Sequence, residues 1–377
     1  MKKLLSIILS GGDGNRLWPL SNEKSPKPFI EIAGKSLLEK TLRRAKLVSN
    51  EVIIVTNEKY LDETKKIITN IPNPPKIHFI LEPVGRDTAP AVSIALRYIE
   101  KTFKEDVLCL LLPADHEIKK QVNFKEDIEF AKKQIGNKNS IIFGVKPEYP
   151  EIGFGYIEVK NKLNDIPSFP VKRFVEKPNQ KNAEKFIKSN NFFWNSGMVI
   201  FDNKTMIKNF EINAPKIWNQ SAKIFSRRKK NLSDNSVSFS SNLYAKFKKQ
   251  SLDYAIMEKM KNLLLVPVSF EWSDLGTWKA LSDKSPKDKK GNSLNVKNKN
   301  SIFLANSKNI HLQILENSKK LYALLGIKDL VVADFPDALL VAKKSQNEEI
   351  KGIVEKIKGS SVNEDINQEV FRPWGSY

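Results

Sequence analysis

Along the first 145 residues, short apolar runs alternate with stretches whose apolar positions recur at helical spacing. Leu4–Ser10, Glu51–Thr56 (EVIIVT), Lys76–Leu81 (KIHFIL), Asp106–Leu112 (DVLCLLL) and Ser140–Val145 (SIIFGV) read as strands. Between them, Ser36–Ser49, Leu61–Asn70, Ala89–Thr102 and Asn123–Gly136 read as helices; in the first, Leu38, Leu42 and Ala45 share one face. Strands alternating with helices predict βαβ units, an α/β fold and a mostly parallel sheet with right-handed crossovers. Runs as continuously apolar as LLSIIL and VLCLLL fit a sheet covered on both faces.

The middle of the chain is less regular. Phe154–Val159, Val171–Glu176, Gly197–Phe201 and Leu263–Pro267 read as strands, and Ala183–Ser189 and Ser251–Lys261 as helices. Lys204–Asn209 and Ile224–Phe247 read as a polar, basic helical lobe. Beyond a Lys-rich linker the period changes. Ile302–Ala305, Ile310–Ile314, Leu321–Leu325, Leu330–Ala333 and Ala338–Ala342 are short strands, with no long helix before Asn347–Lys358. The expected organisation is a large domain over 1–283, a linker over 284–292, a small β domain over 293–358 and a tail over 359–377.

A length of 377 residues suits two or so domains at ~150 residues each. One cysteine, Cys109, excludes an internal disulfide, and three scattered histidines without a CxxC pair argue against a His/Cys metal site. The N-terminal apolar run, Leu4 to Leu9, is too short for a signal-peptide core or a spanning helix, so the expected location is the cytoplasm, away from membranes. The net charge of +20 invites a nucleic-acid reading. Only nine of the 63 basic residues are Arg, the side chain that forks onto phosphates and base edges, and the excess is spread along the chain apart from one dense patch, Lys223–Lys249. A Lys-rich solvated surface explains most of it. The field it creates can steer anionic small molecules, and no nucleic-acid partner is expected.

Ligands of open α/β sheets bind at the carboxyl ends of the strands, so the segments after each strand carry the chemistry. After the first comes G-G-D-G-N-R-L-W-P-L, Gly11 to Leu20. Glycines let backbone N–H groups approach a phosphate or a base, and Arg16 adds a bidentate cation. The third glycine of the dinucleotide fingerprint would fall at Leu17, which disfavours a nicotinamide site. S-P-K-P-F comes next, with Lys27 on a stiffened backbone between prolines. Ala33–Ser36 (AGKS) imitates a P-loop, but the required earlier glycine is Ile30; Gly34 reads as a turn and Ser36 as a helix N-cap. E-P-V-G-R-D-T-A-P-A places Glu82 where a carboxylate can accept from guanine N1–H and N2–H₂, at the entrance of a helix. L-L-L-P-A-D-H ends a strand on Asp115, and E-W-S-D-L-G-T-W carries Asp274; the two make a pair of hard oxygen ligands suited to Mg²⁺ on a phosphate substrate. Glu176 and Asn195, in F-V-E-K-P and F-W-N-S-G-M, can hydrogen-bond sugar hydroxyls, and Lys177 can hold a sugar phosphate. The aromatics nearby, Phe193, Trp194 and Trp272, suit either a sugar site or the core.

Taken together and in order, these motifs, with S-L-D-Y-A-I-M-E-K and D-A-L-L-V-A, resemble the mannose-1-phosphate guanylyltransferases from about Met1 to Lys358. The resemblance implies a Rossmann-like, GT-A-type nucleotidyltransferase domain followed by a small left-handed β-helix domain. It implies Mg²⁺-dependent synthesis of GDP-mannose and pyrophosphate from GTP and mannose 1-phosphate, without a covalent intermediate, and it leaves room for a homodimer. By resemblance, Gly11, Gly12, Glu82, Asp87 and Thr88 would hold the nucleoside, and Arg16 and Lys27 the triphosphate. Asp115 and Asp274 would hold the metal. Gly155, Glu176, Lys177 and Asn195 would hold mannose 1-phosphate. Ala114 stands where some relatives have Ser. The tail F-R-P-W-G-S-Y resembles the segment that leads into the isomerase domain of bifunctional relatives; as the chain stops at Tyr377, isomerase activity is expected to be absent. The competing readings are another sugar-1-phosphate nucleotidyltransferase, for example for glucose 1-phosphate, a non-catalytic regulatory homologue, and a nucleic-acid binder.

Overall fold

The computed structural model describes residues 2–12, 15–22, 25–32, 34–135, 140–160, 168–296, 301–314 and 320–358. The tail motif that ends at Tyr377 lies outside them. The chain divides into two compact units, one formed by Met1–Gly11 with Glu31–Ser273, the other by Gly12–Ile30 with Asp274–Tyr377.

The first unit is built on one eleven-stranded sheet. Its strands are β1 (Lys3–Ser10), β2 (Glu51–Asn57), β3 (Lys76–Glu82), β4 (Val107–Pro113), β5 (Ser140–Val145), β6 (Gly155–Val159), β7 (Phe169–Glu176), β8 (Phe192–Asp202), β9 (Lys229–Asn231), β10 (Ser236–Ser238) and β11 (Leu263–Pro267). They lie in the order β9-β10-β3-β2-β1-β4-β8-β5-β11-β7-β6. The expected parallel pairing holds from β10 through β3, β2 and β1 to β4, and again for β5 with β11. β8 runs antiparallel to both β4 and β5 and makes the whole sheet mixed.

Helices α1 (Leu37–Lys46), α2 (Leu61–Thr69), α3 (Thr88–Thr102) and α4 (Gln121–Gln134) come after β1, β2, β3 and β4, as the alternating pattern predicts. Ser36 caps α1 by accepting from the Glu39 N–H at 3.1 Å, and Gly34 makes the turn before it with φ +75°. α3 is buried along most of its length because it packs between the sheet and helices Asn203–Asn213 and Pro215–Ser226; Met206, Phe210, Ile217 and Trp218 belong to the same core.

Two expected helices are not formed. The stretch Ile224–Phe247 leaves its helix at Ser226 and turns into the hairpin β9–β10 before a single helical turn, Ser241–Tyr244. The cause is local: in N-L-S-D-N, Asn231 and Asp234 accept backbone N–H groups of Ser233 and Ser236, and Asn235 sits at φ +53°. The Ser251–Lys261 pattern breaks at Ile256, leaving a short helix, Leu252–Ala255, and a 3₁₀ turn, Met257–Lys259.

In the second unit, Ser293–Asn295, His311–Ile314 and Leu330–Asp334 stack in parallel, with Leu339–Lys343 antiparallel at the edge. Ile302–Ala305 and Tyr322–Leu325 form a second parallel pair. In-register partners recur about one coil apart, Ser293 with His311 and His311 with Val331, which is the repeat of a β-helix. Helix Ile350–Lys358 closes the described residues.

The core of this unit is partly polar. Buried Lys344 donates to Ser282 Oγ and to Asn309 Oδ1, each at 2.8 Å. Ser293 Oγ lies 3.4 Å from Ser282 Oγ and 2.7 Å from His311 Nδ1. His311 is fully buried, its Nε2 has no partner, and burial beside Lys344 and Lys287 pushes its pKa down to about 4. The unfolded chain therefore takes up a proton near pH 6.5 while the folded one resists until about pH 4. Stability is full above pH 6.5 and falls by about 3 kcal/mol as the pH drops to 4. A His311→Gln variant is expected to lose less melting temperature than the parent between pH 7 and pH 4.5; equal losses in paired thermal melts would refute the assignment.

Candidate active site

The carboxyl end of β3 is the most constrained part of the site. Glu82, its last residue, is only 7% exposed. Tyr244 Oη donates to Glu82 Oε1 at 2.6 Å. Burial pushes the Glu82 pKa up to about 7; the Tyr244 hydrogen bond opposes this and the Asp87 charge adds to it. A Cβ built on Gly11 would lie 3.9 Å from Glu82 Oε2, so the turn after β1 passes close to this oxygen, and Gly12 is next at φ +108°.

Asp87 and Thr88 play different parts from that carboxylate. Asp87 adopts φ +68° and accepts the Thr88 N–H at 2.8 Å, capping α3. Thr88 Oγ1 accepts from Leu252 N at 2.7 Å, and Arg86 Nε donates to the Ala245 carbonyl at 3.0 Å. The G-R-D-T loop is thereby stitched to the segment that carries Tyr244.

The four residues predicted to bind the sugar phosphate come together. Gly155 and Glu176 are register partners of β6 and β7. A Cβ on Gly155 would sit 2.6 Å from Glu176 Oε2 and 3.6 Å from the Asn195 Cβ, so a side chain there would push the Glu176 carboxylate aside. Lys177, at φ +44°, donates to Glu176 Oε1 at 2.6 Å. Asn195 is fixed at both ends: Oδ1 accepts from Gly197 N at 2.9 Å and Nδ2 donates to Asp253 Oδ1 at 2.8 Å.

Asp253 joins this group through Asn195, although its sequence context in the S-L-D-Y-A-I-M-E-K motif gives it no role. Burial raises its pKa, and the Glu176 and Asp87 charges raise it further. Glu258 is raised by burial and by neighbouring Asp253 and Glu176. This acidic cluster can accept hydrogen bonds from hydroxyl groups. Against a phosphate it needs the Lys177 cation. The aromatics are buried: Trp194 meets Tyr149 and Phe154 edge-on at 4.9 and 5.3 Å, and Phe154 meets Trp272 at 5.3 Å, while Phe193 belongs to the core.

Asp115 lies on the turn after β4, partly exposed, with His116 Nε2 at 3.8 Å. Trp272 Nε1 donates to His116 Nδ1 at 3.2 Å, which places the ring proton of a neutral His116 on Nε2, facing Asp115.

The other predicted residues, Gly12, Arg16, Lys27 and Asp274, belong to the second unit. Arg16 sits in the 3₁₀ turn Asn15–Leu17 and Lys27 in another, Lys27–Phe29. Lys27 is buried and its ammonium donates to the Asp274 carbonyl. Asp274 Oδ1 accepts from Gly276 N at 2.9 Å, and its carboxylate fills the space a side chain on residue 276 would need. Trp278 Nε1 donates to the Trp18 carbonyl at 3.0 Å, tying the Arg16 loop to the helix Trp278–Lys284. Among the described residues, no group of three or more His, Cys, Asp or Glu converges as a protein-made metal cage. Asp115, in the first unit, and Asp274, in the second, are each a hard oxygen donor of the kind that holds a cation together with substrate oxygens.

Comparison with known proteins decides between the readings. The nucleotidyl transferase family matches residues 5–291, and the mannose-phosphate isomerase/GMP-like β-helix domain matches 291–357. A mannose-1-phosphate guanylyltransferase from Klebsiella pneumoniae is 34% identical over 387 residues, covering 99% of this chain and 78% of that protein. The chain belongs to the mannose-1-phosphate guanylyltransferase family. A second guanylyltransferase, from Escherichia coli O157:H7, is 35% identical over the same share of both chains. A crystal structure described as a mannose-1-phosphate geranyltransferase from Thermus thermophilus superposes with a TM-score of 0.79 at 27% identity, covering 95% of this chain and all of that one. Family membership makes this chain an enzyme of the nucleotidyltransferase class. Among the described residues, no helix is long and apolar enough to cross a membrane.

Proposed function

We propose that the chain makes GDP-mannose and pyrophosphate from GTP and mannose 1-phosphate. The observation that carries the choice of nucleotide is Glu82: a buried carboxylate at a strand end, beside a glycine turn, with one oxygen already tied and the other facing the turn. An acceptor there suits the N–H edge of guanine and opposes the N1 acceptor of adenine.

In the reaction, a phosphate oxygen of mannose 1-phosphate attacks the α-phosphorus of GTP in line. A new P–O bond forms, the bond to the β-phosphate oxygen breaks, and pyrophosphate leaves with the electron pair. A phosphate monoester is already anionic at neutral pH, so no side chain has to remove a proton. The work left to the protein is alignment and charge neutralisation. By family resemblance we assign the nucleoside to Gly11, Gly12, Glu82, Asp87 and Thr88, and the triphosphate to Arg16 and Lys27. Glu176 and Asn195 accept and donate to sugar hydroxyls beside Gly155, and Lys177 exchanges its Glu176 partner for the sugar phosphate. Asp115 and Asp274 are the residues that would hold Mg²⁺, whose chemistry is Lewis-acid neutralisation of phosphate oxygens.

The test is pyrophosphate release in a matrix of four nucleoside triphosphates against mannose, glucose and galactose 1-phosphates. GTP with mannose 1-phosphate is expected to give the highest kcat/KM. A better rate with any other pair would overturn the proposal.

A further inference from the structure

The basic stretch Lys223–Lys249 reads in sequence as a solvated surface, yet it contains the fully buried Tyr244. Its hydroxyl donates to Glu82 Oε1 at 2.6 Å. The ring is held by its neighbours: Phe247 lies edge-on at 5.1 Å, and Phe239 is tilted against it at 5.7 Å. The backbone is held too, with Tyr244 N donating to Ser240 O at 2.9 Å and Phe247 N donating to Tyr244 O at 3.0 Å. The next residue, Ala245, accepts from Arg86 in the loop after β3. Tyr244 is therefore locked, and what it locks is one oxygen of Glu82.

We propose that Tyr244 is a positioning residue for base selection, which occupies Glu82 Oε1 so that the carboxylate offers the base a single oxygen, Oε2, on its Gly11 side. This inference rests on the guanylyltransfer reading above. A free carboxylate can rotate and accept both guanine donors, N1–H and N2–H₂. A carboxylate with one oxygen tied accepts one of them at a fixed position. The hydroxyl also supplies the hydrogen bond that opposes the rise in the Glu82 pKa caused by burial and by Asp87. Without it the carboxyl takes up a proton more readily and can turn an O–H toward the base, where guanine presents donors and adenine presents the acceptor N1.

The experiment is Tyr244→Phe, which keeps the ring and its packing and removes only the hydroxyl. With mannose 1-phosphate saturating, kcat/KM is measured for GTP, ITP and ATP. The GTP-to-ATP ratio is expected to fall at least tenfold, through the KM for GTP, with kcat within about threefold of the parent; a charge-assisted hydrogen bond is of that size. ITP, which keeps N1–H and lacks the 2-amino group, should track GTP if N1–H is the donor Glu82 accepts, and ATP if it is N2–H₂; a change in neither would overturn the proposal. Phe210→Leu, a core ring stacked on Trp218 and not on Tyr244, is the packing control, expected to lower the melting temperature and leave the ratio unchanged. A folded Tyr244→Phe protein with an unchanged ratio, or a Phe210→Leu protein with the same fall, would overturn the inference. Should the Phe variant not fold, 4-fluorophenylalanine at position 244 fills the space of the hydroxyl and cannot donate, and an unchanged ratio there would overturn it equally. A parent enzyme without preference for GTP would instead overturn the guanylyltransfer reading.

Discussion

Replacing Asp115 by Asn is expected to lower kcat by about two to three orders of magnitude while leaving the melting temperature close to that of the parent. The two halves of this expectation come from different observations. Asp115 is partly exposed on the turn after β4, and the turn is held by other groups: Ala114 N donates to Leu9 O at 3.0 Å, and Thr41 and Arg44 of α1 donate to the Ala114 and His116 carbonyls. The turn therefore keeps these backbone ties when the Asp115 charge is removed. On the proposed metal assignment the reaction depends on that charge, because its substrates bring several negative charges together, and the described residues offer no protein-made metal cage that could take over from a lost carboxylate. Pyrophosphate release across a magnesium titration separates the possibilities. The Asn variant should need more metal and still turn over slowly at saturation. A variant with more than a tenth of the parent kcat at ordinary magnesium would refute the metal assignment of Asp115.

The parallel part of the fold was legible because its signal is local. A run such as VLCLLL is buried on both faces in β4, and Ser36 caps α1 through its own third neighbour. The hairpin at β9 and β10 is hidden in the sequence because helical periodicity in a Lys-rich stretch outweighs the Asn and Asp turn residues that interrupt it. Gly155 could be picked out by its motif, but what lies beside it is Glu176, 21 residues away, whose carboxylate a side chain at 155 would displace. Tyr244 and Asp253 were not legible at all as site residues. Tyr244 meets Glu82 across 162 positions and Asp253 meets Asn195 across 58, and no periodicity encodes such pairs.

The glycine loop shows the same limit at the scale of units. In sequence, Gly12–Leu20 is simply the segment after β1. In the structure it belongs with the β-helix residues, through Trp278 on Trp18 and Lys27 on Asp274. Arg16, Lys27 and Asp274 were each visible as candidates because Arg, Lys and Asp after strands carry phosphate and metal chemistry. That they share one compact unit depends on contacts about 250 residues apart, made by a buried Trp and a buried Lys.

Glu82→Gln is expected to invert base selection rather than merely weaken it. Tyr244 Oη is a donor and would take the amide oxygen, leaving the amide NH₂ on the Gly11 side in place of Oε2. A donor there meets guanine N–H groups head-on and suits the N1 acceptor of adenine. We expect kcat/KM for GTP to fall about a hundredfold and that for ATP to rise, since a buried donor facing a donor loses both the bond and the hydration of each group. The pH profile gives an independent readout. With its pKa near 7, Glu82 in the parent is ionised above that pH and protonated below it, so the apparent affinity for GTP should fall up to tenfold per unit as pH drops below 7. Fold stability runs the other way. Burial disfavours the ionised form, so the Glu82 contribution is most favourable below pH 4.5, and about 3 kcal/mol is lost as pH rises through 7. The Gln variant, which cannot ionise, should lack both trends. It should bind GTP poorly at every pH and melt higher, relative to the parent, at pH 8 than at pH 5. A parent whose GTP affinity is flat from pH 6 to 8, or a Gln variant that still prefers GTP a hundredfold over ATP, would remove Glu82 from the recognition of the base.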